Sequence, residues 1–452
     1  MKTLLTLKSK RDLAIAGLLF LFFFFVIAIF QILKPLKSGL FVEHYGARME
    51  LYAKLANIFI AAFGVWAFTS LYNKLRRRRF IYTLSGVFIV SFIGLALELD
   101  NHPGPLAIWT FYLLGDLEVT MMVATFWAYL TDLSHGPDAQ QLFGPIGAGG
   151  VLGGWAGISI AKFLLTTIGT GGLLLLAAGL MAGVILVIAA TELLSSDSQT
   201  FKPVTNLSTV PRGASLVHDW KAEALEGARL VLRSRYLAGI AGIMGSYEIA
   251  SQLMDYQFKL AAENLSGVQA TQAFITDVYL YANLLAIFTQ LFLVGAVMKK
   301  FGLGVTLLVL PIAIIGGSLG FLAMPTLAVV SVLVILDNGL SYSVLQTGRE
   351  SLYLTTSPDE KYKGRAFISM FVQRLAKGLS ILTIILLGLT GLTAQHLSLL
   401  IIGVLGVMVL LCIKAGRHYA HVINQGAAPT PGTLDSLTVT PSATGHRWAV
   451  NG

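Results

Sequence analysis

Gln31, Lys34 and Lys37 recur every three residues at the end of the apolar run "LAIAGLLFLFFFFVIAIF", with Pro35 between the two lysines. That spacing places them on one stripe of a helix. A lysine at the centre of a membrane-spanning helix costs about 2.5–3.5 kcal/mol on insertion scales, so the stripe needs a reason. Pro35 removes a backbone hydrogen bond and predicts a bend beside it. Anion binding in a water-lined path is the chemistry such a stripe can do. Snorkelling to the interface is the other reading: Lys37 lies some ~36 Å along the segment at 1.5 Å per residue, and this accounts for one lysine but not a stripe. A second set, Glu248, Gln252, Asp255 and Lys259, follows i, i+4, i+7, i+11 on an otherwise apolar helix. Ionisable groups in a membrane face a bundle interior or an aqueous path. Asp255 and Lys259 can pair with each other, which leaves Glu248 and Gln252 unexplained. Asp116, Glu118, Asp337, Arg374 and Lys377 add to the count. Cations that bind a solute, with acids that compensate them in its absence, suit a carrier of a polyanion such as phosphate.

Other motifs carry less. "FGPIGAGGVLGGWAG" lacks the Gly-Lys-Ser/Thr of a phosphate loop and follows no strand pattern. Its Gly149/Gly153, Gly150/Gly154 and Gly153/Gly157 pairs predict close helix packing. His418-x-x-His421 has no third ligand nearby and reads as a solvated face. There is no nucleophile–base arrangement, Walker motif or zinc spacing, so the sequence predicts neither an enzyme nor a bound cofactor or metal.

The elements that must position these residues are membrane helices. The chain of 452 residues is 55% hydrophobic and only 12% charged, with a mean hydropathy of +0.75. Average globular proteins carry about twice that charge. Apolar runs of about 20 residues, the length that crosses roughly 30 Å of hydrocarbon, recur throughout. They predict twelve spans, near 13–37, 51–73, 80–99, 105–131, 142–165, 170–192, 236–260, 272–298, 303–323, 326–346, 364–389 and 395–415. The first run lacks a small-residue cleavage site and reads as a retained helix. The single Cys412 excludes an internal disulfide framework. A polar insert over 193–235 ends in "WKAEALEGARLVLRSR", an amphipathic surface helix. The tail over 419–452 has the composition of a disordered segment. Basic residues concentrate in "NKLRRRR", "MKK", "EKYKGR" and "KAGRHYAH", which places both termini in the cytoplasm. The net charge of +9 is then topology, and no nucleic-acid partner is expected.

Two halves are related by offset. Lys37 and Lys259 lie 222 residues apart, and Pro137-Asp138 and Pro358-Asp359 lie 221 apart. The pattern predicts an all-α, major-facilitator-like protein of two six-helix bundles, 1–192 and 236–418, with a substrate path between them.

With those residues in hand, the chain resembles the ATP:ADP antiporter (nucleotide transporter) family. The likeness is carried by "ILKPLKSGLF", "FWAYLTDLSHGPDAQQLFGPIGAGGVLGG", "MDYQFK" and "GRESLYLTTSPDEKYKGRAFISMFVQR". The resemblance implies that Lys37 is the transport-critical lysine, with Asp116 and Asp255 as its acids and Lys259 after the second. It puts Arg349 and Glu350 at the family's basic-Glu pair. Gln140-Gln141 stands where the family has Lys-Arg, Pro35 and Ser38 replace polar or acidic residues, and both acids are one methylene short. The expected function is exchange of nucleotides or a related phosphorylated anion by alternating access. Lys34, Lys37, Lys259 and Arg374 would contact the anion, and Asp116 and Asp255 would gate. Tyr247, Trp127 or Tyr342 could stack a base. A permease for another solute, proton-coupled through Glu248 or Asp337, and a non-transporting scaffold or sensor are the other readings. The expected setting is a bacterial inner membrane, as a monomer in the lipid bilayer.

Overall fold

The computed structural model describes residues 10–74, 77–100, 103–133, 143–195, 220–265, 267–357, 360, 364–388 and 394–424. The readings on Pro137-Asp138, Gln140-Gln141, Pro358-Asp359, most of the insert and the tail beyond 424 lie outside them. The described residues form helices and no strand: α1 Lys10–Lys74, α2 Arg77–Asp100, α3 Pro105–Leu133, α4 Phe143–Ser195, α5 Trp220–Arg233 and α6 Arg235–Ala262. After these come α7 Val268–Phe288, α8 Val294–Ala323, α9 Leu327–Leu340, α10 Gln346–Leu352, α11 Arg365–Phe367, α12 Gln373–Gly388 and α13 Ala394–Asn424. Helix is what lipid demands, because every backbone donor and acceptor finds its partner within the segment.

Among the described residues, seven helical stretches are long and apolar enough to cross a membrane, so the chain is a multi-pass membrane protein. Three of them far exceed one crossing: α1, α4, and α7 continued into α8 through the π-helical turn Thr289–Leu293. Each of the three breaks at one glycine in the left-handed half of backbone space: Gly46 (φ 80°), Gly169 (φ 67°) and Gly302 (φ 78°). Only a residue without Cβ enters that region freely, so these glycines reverse the chain without a loop. Pro35 does not interrupt the helix: α1 runs through it, and its non-helical residue is Gly46.

Two apolar cores organise the helices. One joins α1–α4 around Phe22, Phe126 and Tyr129, with Phe22 and Phe126 edge-to-face at 5.3 Å. The other joins α6–α13 and also takes in Val231 of α5 and Ala47, Leu51 and Ile158 of the first half. Large apolar side chains at the perimeter, among them Phe59, Val90, Leu186 and Leu410, stand exposed, as lipid-facing residues do. The glycine stripe of α4 packs as the sequence predicts. A Cβ at Gly149, Gly153 or Gly157 would strike the backbone carbonyls of Phe20, Phe24 and Ala28 in α1. Helix α5 occupies the predicted surface-helix segment and buries Val231 while Leu232 stays exposed.

Candidate functional site

A cavity of about 450 Å³ lies between the two halves, within the roughly 300–1,000 Å³ common for small-molecule sites. Six cations line it (Lys34, Lys37, Lys54, Lys259, Arg349 and Lys377), with five carboxylates (Glu50, Asp116, Glu248, Asp255 and Asp337). Their placement follows from helix register. Lys34 and Lys37 come from the first arm of α1, and Glu50, Lys54 and Asn57 from its second arm beyond Gly46. Asp116 comes from α3 and Glu248, Gln252, Asp255 and Lys259 from α6, one continuous face as the i, i+4, i+7, i+11 spacing required.

The charges are joined in two knots. In the first, Lys37 is ion-paired to Asp116, whose other oxygen accepts from the Asn57 amide. The Lys37 ammonium also donates to the Tyr112 carbonyl at 3.4 Å and lies 4.9 Å from the centre of the Tyr112 ring. Gly115 makes room for it, since a Cβ there would sit 3.0 Å from Lys37 Cδ. In the second knot, Lys259 Nζ bonds Glu50 Oε1 at 2.7 Å and Asp255 Oδ2 at 2.9 Å. Lys54 pairs with the same Asp255 oxygen. Ser38 Oγ and Tyr112 Oη also donate to Glu50 Oε1, at 2.9 and 3.0 Å. Glu50 is only 2% exposed, and these donors replace the water that burial removes.

Three lining cations stand apart from the knots: Arg349, paired with Glu350, and Lys34 and Lys377. Lys34 lies 4.1 Å from the centre of the Tyr279 ring, and among the described residues no carboxylate reaches ion-pair distance of Lys34 or Lys377. On the acidic side, Ser251 Oγ donates to Asp337 at 2.7 Å. Gln252 reaches Glu248 at 3.5 Å.

The cavity thus gathers Lys34, Lys37, Asp116, Asp255, Lys259 and Arg349. Arg374 is exposed and does not line it; Gln373 and Lys377 do. The π-helical turn Ile368–Val372 just ahead of α12 shifts the register that a regular helix would give, and the inward face falls on 373 and 377. Glu350 also sits outside the lining. Although Arg349 directly precedes it in sequence, the Arg349 guanidinium folds over to it at 3.4 Å, and Arg365 reaches it at 3.0 Å. Tyr247 and Tyr342 line the cavity, whereas Trp127 packs edge-on against Phe23 and Phe126. Glu118 is fully buried in the first half, away from the cavity. Sequence reasoning missed Glu50, Lys54, Asn57 and Tyr112. The first three follow i, i+4, i+7, the signal that identified the face of α6, at a place that reads as a loop and span end.

A model of the TLC ATP/ADP transporter family matches residues 106–330. The chain is 21% identical to "ADP,ATP carrier protein 1" of Chlamydia pneumoniae over 89% of its own length and 90% of that protein's. It is 24% identical to a plastidic ATP/ADP-transporter of Solanum tuberosum over 78% of its length, and spans 64% of that protein. Among solved structures it superposes on the major facilitator superfamily transporter FucP, at a TM-score of 0.51 and 15% identity. That match covers 90% of this chain and 99% of FucP, and it shows the fold. The family model and both relatives bear out the likeness to ATP/ADP transporters read from the sequence: this chain is similar to the TLC ATP/ADP transporter family.

Proposed function

We propose that this protein exchanges nucleotides, ATP and ADP foremost, across the membrane by alternating access. The observation that carries the reading is the cavity itself. It lies between the two halves, and Lys37, Lys54 and Lys259 are held by carboxylates that can release them to an incoming polyanion. Arginine and lysine suit phosphate oxygens, and removing paired charges from water without their partners is costly. An empty cavity keeps its pairs, and a loaded one exchanges them for phosphate contacts. On this reading Lys34 and Lys377 meet the anion first, while Lys37 and Lys259 answer to it by loosening Asp116, Glu50 and Asp255. Tyr247, Tyr279 and Tyr342 offer aromatic faces to a base.

The relatives named ATP/ADP carriers support the choice of solute. Twelve crossings follow if each of the three glycine-broken stretches counts twice and α6 and the 364–388 segment each cross once. The halves are then 1–192 and 236–418, joined by the 193–235 insert. The loops at 298–302 and 353–365 lie in the cytoplasm with both termini, by the excess of lysine and arginine there. The protein acts as a monomer in an inner membrane of bacterial type.

Proteoliposomes test the reading. Vesicles preloaded with ADP take up labelled ATP much faster than empty vesicles if the exchange is obligate. Equal uptake with and without internal nucleotide removes exchange. Absence of uptake for every nucleotide, in folded protein, removes the solute.

A further inference from the structure

The end of the path beside Gly46 is closed by contacts that repeat across the two halves. In the first half, Glu43 closes the first arm of α1, three residues before Gly46. Its carboxylate reaches into the second half, accepting from the Gly267 backbone N–H and the Thr271 hydroxyl, both at 3.0 Å. Gly267 is the residue before α7, and α7 has no side-chain cap of its own. In the second half, Glu263 follows the last residue of α6. Its carboxylate reaches back to accept from the Ala47 backbone N–H, the first of the arm that follows Gly46. Glu43 and Glu263 are 220 residues apart, and Gly46 and Gly267 are 221 apart, within two residues of the 222 between Lys37 and Lys259. Both glycines hold positive φ, 80° and 97°. A Cβ at Gly46 would stand 2.8 Å from Glu263 Oε1.

We infer that Glu43 and Glu263 form a reciprocal capping latch: each half supplies the carboxylate that caps a helix of the other, and the two caps hold this end of the path shut. The first turn of a helix leaves backbone N–H groups without partners and carries partial positive charge, so a carboxylate there is favoured twice over. When a helix is capped from its own chain neighbourhood, the cap stays whatever the bundles do. Here the cap exists only while the two halves are together. Parting them strips both helix starts at once, so closure at this end gains cooperativity from two-fold repetition. Behind the latch, Gln272 Nε2 donates to the Leu36 carbonyl at 2.9 Å and Thr170 Oγ1 to Gln272 Oε1 at 2.9 Å, so the seal has depth. None of the latch residues lines the cavity, so their part is to position the halves, not to bind solute.

The test reads conformation without any nucleotide, so its result is independent of the proposed solute. Spin labels at Leu106→Cys and Met324→Cys, both exposed and one in each half at this end, report the separation of the halves in a Cys412→Ala background. In the intact latch the short separation dominates. Glu43→Ala and Glu263→Ala should each raise the ratio of long to short separations about fivefold to tenfold, the effect of losing one good cap, and together by more than either. Glu43→Gln keeps a carbonyl acceptor for the Gly267 N–H and should shift the ratio less than Glu43→Ala. If an alanine variant does not fold, Glu43→Gln and Thr271→Val are read in its place, with a smaller shift in the same direction expected. Unchanged separations across the folded variants overturn the latch.

Discussion

Lys37 and Lys259 occupy matching places in the two halves, and both are nearly buried, yet they are held differently. Lys37 is neutralised within its own half, by Asp116 of α3. Lys259 is shared between Asp255 on its own helix and Glu50 across the divide. The first pair survives any rigid movement of the halves. The second must break or stretch when they part around it. The two lysines thus divide the work, one poised within a bundle and one joining the two.

The largest effect expected from this contrast is on stability. Lys259→Gln leaves Glu50, 2% exposed, without a cation, and breaking a buried pair from one side costs about 3–5 kcal/mol. Thermal unfolding in detergent should show a large drop in Tm, and adding Glu50→Gln should recover most of it. A Tm unmoved by Lys259→Gln would mean that the junction carries no weight. Lys37→Gln should cost less stability, because Asp116 keeps the Asn57 amide and is 32% exposed towards the cavity. Its effect falls on transport: ATP uptake into ADP-loaded vesicles should drop about a hundredfold, the upper end of what one charge-assisted contact supplies. Normal uptake by Lys37→Gln would reinstate snorkelling as the reason for that lysine.

Lys34 sharpens the division between pairing and binding. It rests on the Tyr279 ring without a carboxylate partner, so Lys34→Gln should leave Tm unchanged and raise KM for ATP about tenfold with little change in kcat. A lowered kcat at unchanged KM would move Lys34 from the binding to the gating role. The smallest effect belongs to Lys162 and Asp277, an ion pair between the halves at the latch end with both partners about a third exposed. Lys162→Ala should change stability by no more than ~1 kcal/mol by Tm, as exposed pairs do. A large change there would show that the latch end is held by surface charge rather than by the caps.

Much of this arrangement was legible along the chain. The face of α6 was readable because its polar residues share one helix, where spacing alone fixes direction. The stripe of α4 glycines was readable for the same reason, since small residues four apart can serve only a close neighbour. Reading stopped where the register changed or the partner lay far away. Arg374 was expected to point at the solute, and the π-helical turn before it gave that place to Lys377. Glu50 and Lys54 looked like the charged edge of a span, because hydropathy averages over residues and cannot see a carboxylate folded inward.

The sequence by itself determined that this is a helical membrane protein with ionisable groups too costly to face lipid. The cost of burying charge in hydrocarbon is local to each helix, so composition and periodicity suffice to reveal it. Only the tertiary structure decided which acid answers which lysine, and that Glu43 and Glu263 cap helices in the opposite half. The Lys259–Glu50 pair and both caps join residues more than two hundred positions apart. Each of these depends on the approach of two bundles, and no periodicity within one helix encodes it.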